Sequence, residues 1–547
     1  MLAKVGMIVL FAAIVVGIGV YARRHANSVD GFILGGRNVG PWLSAFAFGT
    51  SYFSAVIFIG YAGQFGWKYG MSATWIGLGN ALVGSLLAWW VLGPRTRELT
   101  QRLKASTMPQ FFGARYNSTG LRIAAAIIIF VFLIPYTAGV YNGLSRLFDM
   151  AFGWPYEACI IGMAIVTCIY VVLGGYMATV MNDFVQGIIM LIGIVAVIVG
   201  VIASQGGMSQ AVISLSQIQL PSTEMSGPLT SFLGPDFFNL MGVVILTSLG
   251  TWGLPQMVTK FYAIKDGPAI KQGAIISTIF AFIVAGGSYF LGGFGQLFAD
   301  QVAFGPDGVT PVYDSIVPTM LSVLPELLIG LVVVLVLSAS MSTLSSLVLT
   351  SSSTLTLDLI KRHVVKDMDE RKQLIWMRGL LVVFVAISAF IALIQYNSSI
   401  TFIAQLMGIS WGAIAGAFLG PFLYGLYWKR VSKAAVWTSF IVGVGLTTGN
   451  MIAGMLGTPW IASPINAGAL AMILSLVLTP LVSLITPAVP FEINRVHQSA
   501  AIDREYRAQL AASGETVDAI GPSSALEEGI GRAPGRLLHR SSDSKKE

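Results

Sequence analysis

The amino-acid sequence predicts an all-α protein that crosses a membrane many times. Of its 547 residues, 55% are hydrophobic and only 10% are charged, and the mean hydropathy is +0.77. Soluble globular chains carry about 25% charged residues, so a water-exposed surface could not be covered by so few charges. Soluble enzymes, nucleic-acid-binding proteins, fibrous proteins and disordered chains are therefore disfavoured, and a polytopic membrane protein is expected.

Thirteen apolar runs are long enough to be transmembrane helices, each of which needs about 20 apolar residues. They lie near residues 2–22, 42–66, 71–93, 123–145, 155–174, 183–203, 237–258, 272–298, 326–350, 379–396, 400–427, 434–456 and 463–486. The first run lacks a basic n-region and a small-residue cleavage site, so it is expected to be a retained helix rather than a signal peptide.

The positions of the cations orient these spans. If the N-terminus is outside, all of the 32 Lys and Arg residues except Lys4, Lys68 and Arg146 fall in segments that face the cytoplasm. Cytoplasmic loops of membrane proteins carry an excess of Lys and Arg. The expected topology is thus thirteen helices with the N-terminus outside and the C-terminus inside. The net charge of +7 then marks the cytoplasmic face rather than a nucleic-acid-binding surface.

The chain is expected to form one transmembrane domain, residues 1–490, followed by a cytoplasmic tail. Residues 491–547 are charged and weakly hydrophobic, which is typical of a largely disordered segment. Cys159 and Cys168 lie in apolar runs and offer neither a disulfide framework nor a set of metal ligands.

Two spans are interrupted by small and helix-breaking residues. The second contains AFGTSYFS at residues 47–54, and the seventh contains SLGTWGLP at residues 248–255. These spans begin two consecutive groups of five, residues 42–203 and 237–427. Matched interruptions in two halves indicate the inverted repeats of a transporter, whose freed backbone groups line a cavity. Small residues that let helices pack closely are the alternative interpretation.

The ninth span carries the densest cluster of hydroxyl groups, from Ser338 to Ser346. Ala339, Ser342, Thr343 and Ser346 share one face, because they are spaced at i, i+3, i+4 and i+7. Asp, Glu and His are scarce within the spans, which disfavours a proton relay. A coupling ion would therefore be held by neutral oxygen atoms, which suit small hard cations. Hydroxyls bonded to their own helix are the alternative.

Short motifs follow one another in a fixed order through the predicted helices. They are Gly36-Arg37, Gly49 to Ser54, Phe58-Ile59-Gly60, Met108 to Phe112, Arg115-Tyr116, Gly174-Gly175, Asn182 to Gln186, Gly253 to Gln256 and Ala339 to Ser346. Their order and spacing over roughly residues 1–490 resemble the sodium/solute symporter family. The segments Tyr52 to Gly70 and Gly253 to Gln256 look most like the pantothenate permease branch, and the sodium/proline permeases are similar but more distant.

The resemblance implies a LeuT-type fold, which is a five-plus-five inverted repeat, here with one extra N-terminal and two extra C-terminal helices. It also implies a sodium site on the second and ninth spans. The ligands would be the carbonyl oxygens of Thr50, Phe53 and Ala339 and the hydroxyls of Ser342 and Thr343.

Some members of the family hold a second sodium ion. The matching residues here are Asp183, Ser342, Ser345 and Ser346, so the sequence permits one or two ions per cycle. The alternative for Asp183 is a carboxylate at a helix N-terminus that faces the cytoplasm and is stabilised by the helix dipole.

Polar and aromatic residues near the two interruptions are candidates for the substrate site. They are Ser51, Ser54, Tyr136, Tyr141, Thr251, Trp252 and Gln405. Core packing or a thin gate is the alternative for each aromatic residue. Proline permeases carry an aspartate where this chain has Tyr52, which weakens a proline assignment. The expected solute is a monocarboxylate, a vitamin such as pantothenate, or an amino acid.

The function implied by the resemblance is sodium-coupled import of a small organic solute by alternating access. We expect a multi-pass protein of the cell membrane that is not an enzyme and uses no cofactor beyond Na⁺ as the coupling ion. The expected partners are the solute, sodium and the lipid bilayer, without nucleic acid, and the oligomeric state is open. A sodium-independent facilitator or channel, and a nutrient sensor built on a transporter fold, are the alternatives.

Overall fold

The structure, a computed structural model, describes residues 2–221, 223–305, 308–365, 368–397 and 403–489. Helices make up most of these ranges, as the sequence predicts. The predicted tail, residues 491–547, lies outside the described residues.

The α-helices are numbered in chain order. They are α1 Leu2–Ala22, α2 Val29–Leu34, α3 Pro41–Tyr52, α4 Ala62–Tyr69, α5 Thr74–Gly79, α6 Ala88–Arg102, α7 Met108–Arg115, α8 Thr119–Phe152, α9 Tyr156–Ser204, α10 Met208–Ser216, α11 Phe237–Gly253, α12 Pro255–Ala263, α13 Gly267–Ala281, α14 Gly287–Gly292, α15 Tyr313–Ser322, α16 Glu326–Thr354, α17 Glu370–Asn397, α18 Ile403–Tyr427, α19 Lys433–Met455 and α20 Pro464–Ile485. Four π-helical segments connect some of them, Val56–Tyr61, Asn80–Leu87, Phe282–Gly286 and Leu355–Val364.

Ten helical segments within the described ranges are long and apolar enough to cross a membrane, and the bent pair α11 and α12 raises the number to eleven. Some of these segments hold two predicted spans. The predicted spans 155–174, from its second residue, and 183–203 both lie in α9, which is kinked at Gly175 (φ 53°, ψ −142°). The structure therefore confirms an all-α multi-pass protein, while the count of thirteen spans and their orientation stay predictions.

The first predicted interruption is present as a break at the end of α3. Phe53 is extended (φ −102°, ψ 92°), and the Ser54 hydroxyl accepts a hydrogen bond from the Val56 N–H at 3.2 Å. The chain then continues through the π-helical segment Val56–Tyr61 into α4. Carbonyl groups in the last turn of a helix have no partner within that helix. The break therefore frees the Thr50 carbonyl for other partners.

The second predicted interruption lies between α11 and α12. Leu254 is extended (φ −82°, ψ 124°), and the two helices meet at a bend of 45°. Pro255 explains this geometry, because the residue before a proline is driven out of the helical conformation. Proline is also favoured in the first turn of the helix that follows.

Helix α16 is the buried centre of the fold and packs against α1, α3, α8, α9 and α17. Every residue from Val332 to Leu349 is buried. The Ser338 and Ser340 hydroxyls donate to carbonyls of their own helix, each at 2.7 Å. These two hydroxyls are hydrogen-bonded within their own helix, as expected if the hydroxyl-rich run binds no ion. The hydroxyls one turn further along instead reach the break in α3.

Candidate functional site

Two hydroxyl groups of α16 converge on the carbonyl that the break in α3 frees. Ser342 Oγ donates to the Thr50 oxygen at 3.0 Å, and Thr343 Oγ1 lies 3.2 Å from the same atom. Both hydroxyls are also 3.1 Å from the Ala339 carbonyl oxygen. All of these residues are completely buried, so the oxygen cluster is shielded from water.

The donor set of this cluster fits a sodium ion. Carbonyl and hydroxyl oxygens suit a small hard cation without adding a net charge to the interior. The structure brings together the predicted ligands Thr50, Ala339, Ser342 and Thr343. Phe53, the remaining predicted ligand, is the extended residue at the break itself. The arrangement can therefore tie the first broken span to α16 through a shared cation.

Of the residues predicted for a second sodium ion, Ser345 and Ser346 lie one turn further along α16 than Ser342. Ser346 Oγ shares a hydrogen bond of 2.7 Å with Ser51 Oγ, whereas Ser345 Oγ donates to the Ser342 carbonyl at 2.9 Å. Asp183 is completely buried well inside the second half of α9. The alternative of a carboxylate in the first turn of a helix facing the cytoplasm is therefore wrong.

A lysine that the sequence places in a cytoplasmic loop is part of this group. Lys260 lies in α12 with only 1% of its surface exposed, and its Nζ is 3.9 Å from Asp183 Oδ2. It also donates to Ser346 Oγ at 3.1 Å. The sequence places Lys260 in a loop because the predicted seventh span ends at residue 258. In the structure, α12 continues beyond that point to Ala263 and buries the lysine. The apolar neighbours Phe261 to Ala263 are the signal that could have found it.

Aromatic rings join the two breaks beside the oxygen cluster. Tyr52 Oη donates to the Thr247 carbonyl of α11 at 2.5 Å. Its ring stacks on Trp411 of α18 with the centroids 5.9 Å apart, and Tyr136 meets Trp411 edge-on at 5.8 Å. Gly250 lets the Trp411 ring approach, since a Cβ there would lie 2.4 Å from it. Among the predicted substrate residues, Tyr136 is therefore beside both breaks.

Other predicted substrate residues use their polar groups to hold neighbouring helices. Thr251 Oγ1 donates to the Gly84 carbonyl at 2.9 Å, and Trp252 Nε1 donates to the Val83 carbonyl at 3.0 Å. Both acceptors lie in the π-helical segment Asn80–Leu87. Trp252 is buried, with 8% of its surface exposed. These contacts fix the second break against the adjoining span.

Tyr141 and Gln405 are the two remaining candidates. Tyr141 is buried on α8, but it follows Tyr136 by five residues and so points about 140° away around the helix. Gln405 lies in the first turn of α18 and is partly exposed. The structure therefore groups Tyr136 with the breaks and sets Tyr141 on another face.

A cavity with an empty volume of about 410 Å³ begins at Lys260 and Ser346. It extends past Gln256 and Thr350 to Thr107 in the segment between α6 and α7, on the predicted cytoplasmic side. The Gln256 side chain is 1% exposed, and neither of its polar atoms has a hydrogen-bond partner among the described residues. The cavity therefore leads from that face to Lys260 and Ser346, one helical turn from the oxygen cluster.

A second buried carboxylate, Asp314, lies in the short helix α15 between two spans. Its Oδ2 accepts a hydrogen bond from the Ile403 N–H at 3.4 Å, at the start of α18. Burial raises the pKa of Asp314 to about 6, and the Ile403 hydrogen bond and the Arg146 charge oppose this rise. The carboxyl group therefore joins α15 to the first turn of α18 and changes charge under mildly acidic conditions.

Comparison with known proteins identifies the family. The model of the sodium:solute symporter family matches residues 32–443. The chain belongs to this family. The symporter is 29% identical over 449 residues to the osmoregulated proline transporter OpuE of Bacillus subtilis (strain 168), which covers 79% of this chain and 86% of that protein. It is also 29% identical over 448 residues to the sodium/proline symporter of Staphylococcus aureus (strain JH9), covering 80% and 83%.

A solved structure shows the same fold. The symporter matches a Na⁺-coupled sialic acid symporter in a substrate-bound outward-open state with a TM-score of 0.69 and 16% identity, covering 89% of this chain and 98% of the other. The predicted family and the LeuT-type fold are confirmed. The symporter is a sodium-coupled transporter of the cell membrane rather than an enzyme. Its placement in the pantothenate permease branch stays a prediction.

Proposed function

We propose that sodium binds between the break in α3 and the hydroxyl face of α16 and drives the import of a small organic solute. The convergence of Ser342 and Thr343 on the Thr50 carbonyl is the observation that carries this proposal. A cation shared by the two helices stabilises the conformation in which they are close. The protein then spends more time in the state that offers a formed solute site.

The solute site of this proposal lies beside the same break. Ser51 and Ser54 provide hydroxyls, and the buried rings of Tyr136 and Trp252 provide apolar walls. Small-molecule sites combine such walls with a few placed polar groups. We expect the solute to be a monocarboxylate, a pantothenate-like vitamin or an amino acid. The two relatives named above transport proline, so proline belongs among the compounds to be tested.

Transport follows from alternation between two conformations. Sodium and solute enter from outside, and the cavity that begins at Ser346 and leads toward Thr107 provides the exit route. A membrane potential of 100 mV adds about 2.3 kcal/mol for each charge that crosses. One sodium ion per solute can therefore support about a fiftyfold accumulation of a neutral solute from the potential alone.

Uptake into proteoliposomes tests the proposal. Purified protein is reconstituted, and uptake of labelled L-proline, pantothenate and pyruvate is measured with an inward sodium gradient or with potassium in its place. We expect one of these compounds to accumulate only with sodium. At a sodium concentration that just saturates the wild type, Ser342→Ala and Thr343→Ala should lose most of their sodium-driven uptake, whereas Ser338→Ala should keep it, because the Ser338 hydroxyl is bonded within its own helix.

Two results would contradict the proposal. Uptake that only equilibrates and ignores the imposed sodium gradient would indicate a facilitator. Normal sodium-driven uptake by both the Ser342→Ala and the Thr343→Ala variants would move the sodium site elsewhere.

A further inference from the structure

The buried ammonium group of Lys260 is held by groups from two other helices. Its Nζ donates to Ser346 Oγ at 3.1 Å, lies 3.9 Å from Asp183 Oδ2, and is 5.2 Å from the centroid of the Tyr176 ring. The exposed fractions of the Lys260 and Asp183 side chains are 2% and 0%. A carboxylate, a hydroxyl and an aromatic face around one point form a site for a monovalent cation.

This site uses oxygen atoms that the family resemblance suggests for a second sodium ion. Asp183 and Ser346 belong to that predicted set, and here they face the Lys260 ammonium. The ammonium neutralises the buried carboxylate, which would be costly if left unpaired. A sodium ion bound to the same oxygens would lie within a few ångströms of a like charge and would be repelled by it.

The ammonium is connected to the oxygen cluster at Thr50. Ser346 Oγ, which accepts from Lys260, shares a hydrogen bond of 2.7 Å with Ser51 Oγ, and Ser51 is the neighbour of Thr50 in α3. Lys260 thus links α12 of the second broken span to α16 and, through Ser346, to the first broken span. A mobile ion at this point would make the same connection only while bound.

The cavity on the predicted cytoplasmic side gives cations access to this point. Lys260, Ser346 and Tyr176 all line it, so shortening the lysine would open the Asp183 carboxylate to the cavity. Gln256 lines the same space with a buried amide that has no hydrogen-bond partner among the described residues. An ion that replaced the ammonium would therefore find the Gln256 amide in the same cavity as the carboxylate.

We propose that Lys260 serves as a built-in cation that fills the Asp183–Ser346 site, so that the symporter binds a single sodium ion, at the Thr50 cluster. This inference rests on the proposed function, because it takes the Thr50 cluster as the sodium site. The side chain determines the sodium stoichiometry, and the Asp183–Ser346 site becomes a monovalent-cation site when the lysine is shortened.

Equilibrium binding of ²²Na⁺ to purified full-length protein tests the proposal without knowledge of the solute. Wild type should bind about one ion per chain, and Lys260→Ala should gain a second. Lys265→Ala is the matched control, because Lys265 is a half-exposed lysine paired with Asp266 just beyond α12, and it should stay at one ion. At a sodium concentration that just saturates the wild-type site, Ser342→Ala should lose most of the sodium bound by the wild type and only about one of the two ions of Lys260→Ala.

Two further variants keep the test decisive if Lys260→Ala is unstable. Lys260→Arg retains the cation and should bind one ion, and Lys260→Ala combined with Asp183→Asn removes both charges and should also bind one. Two ions bound to the wild type, or a single ion bound to a folded Lys260→Ala variant, would overturn the proposal. No sodium binding by the wild type would instead overturn the proposed function.

Discussion

The Ser342→Ala substitution tests the oxygen cluster most directly. It removes a hydroxyl that lies 3.0 Å from the Thr50 oxygen and 3.1 Å from the Ala339 oxygen, and it changes the side-chain volume little. An interaction with a charged partner is worth about 1.5–3 kcal/mol. Loss of about 2 kcal/mol corresponds to about a 30-fold weaker affinity for sodium. We therefore expect the sodium concentration at half-maximal uptake to rise by about that factor.

The measurement is the sodium dependence of solute uptake in proteoliposomes, together with direct sodium binding in detergent. Ser338→Ala is a control on the same helix that should leave the half-maximal concentration unchanged, because its hydroxyl donates to Val334. Thr343→Ser keeps a hydroxyl at the site and should stay within a few-fold of wild type. A Ser342→Ala protein whose half-maximal sodium concentration stays within about twofold of wild type would refute the assignment of this hydroxyl as a ligand.

Three further predictions concern contacts around the site. Tyr52→Phe removes the hydroxyl that donates to the Thr247 carbonyl, so it should lower the free energy of unfolding in detergent by about 1 kcal/mol. An unchanged melting temperature would contradict this role. Gly250→Ala should destabilise the protein by about 1–3 kcal/mol, because its Cβ would meet the Trp411 ring at 2.4 Å, and normal stability would show that the ring moves freely. The pKa of Asp314 is raised from 3.8 to about 6, so its protonated form favours the folded state at pH 4, and that advantage is lost as the pH rises to 6. Asp314→Asn should therefore be more stable than wild type above pH 6, by about 3 kcal/mol at most, and equal melting temperatures at pH 7 would contradict this.

The helices and their breaks are readable from the sequence because their causes are local. An apolar run of membrane length forms a helix wherever it lies in the chain. Pro255 excludes the helical conformation from Leu254, and the small residues around Gly49 and Thr50 weaken the second span. The face of Ala339, Ser342 and Thr343 follows from helical periodicity alone. Each of these features needs no knowledge of what packs against it.

The partners of these elements depend on the packing of distant segments. The Thr50 carbonyl meets α16 across almost 300 positions of sequence, and Tyr52 reaches Thr247 from a different broken span. Tyr136 and Tyr141 are equally plausible in the sequence, but only Tyr136 contacts Trp411 in the described structure. Such pairings arise from the tertiary arrangement of helices, which periodicity within one helix does not specify.

Lys260 is the clearest example of a residue whose partners depend on the tertiary structure. Hydropathy and charge patterns assign a cation near the end of an apolar span to the cytoplasmic loop, since an isolated charge is costly inside a membrane. The 45° bend between α11 and α12 instead turns the lysine toward the Asp183 carboxylate. Composition and periodicity thus predict a multi-pass membrane protein with broken helices and a hydroxyl-rich helix face. Which charges meet inside it is decided by the folded structure, because the cost of burying a charge depends on the partner beside it.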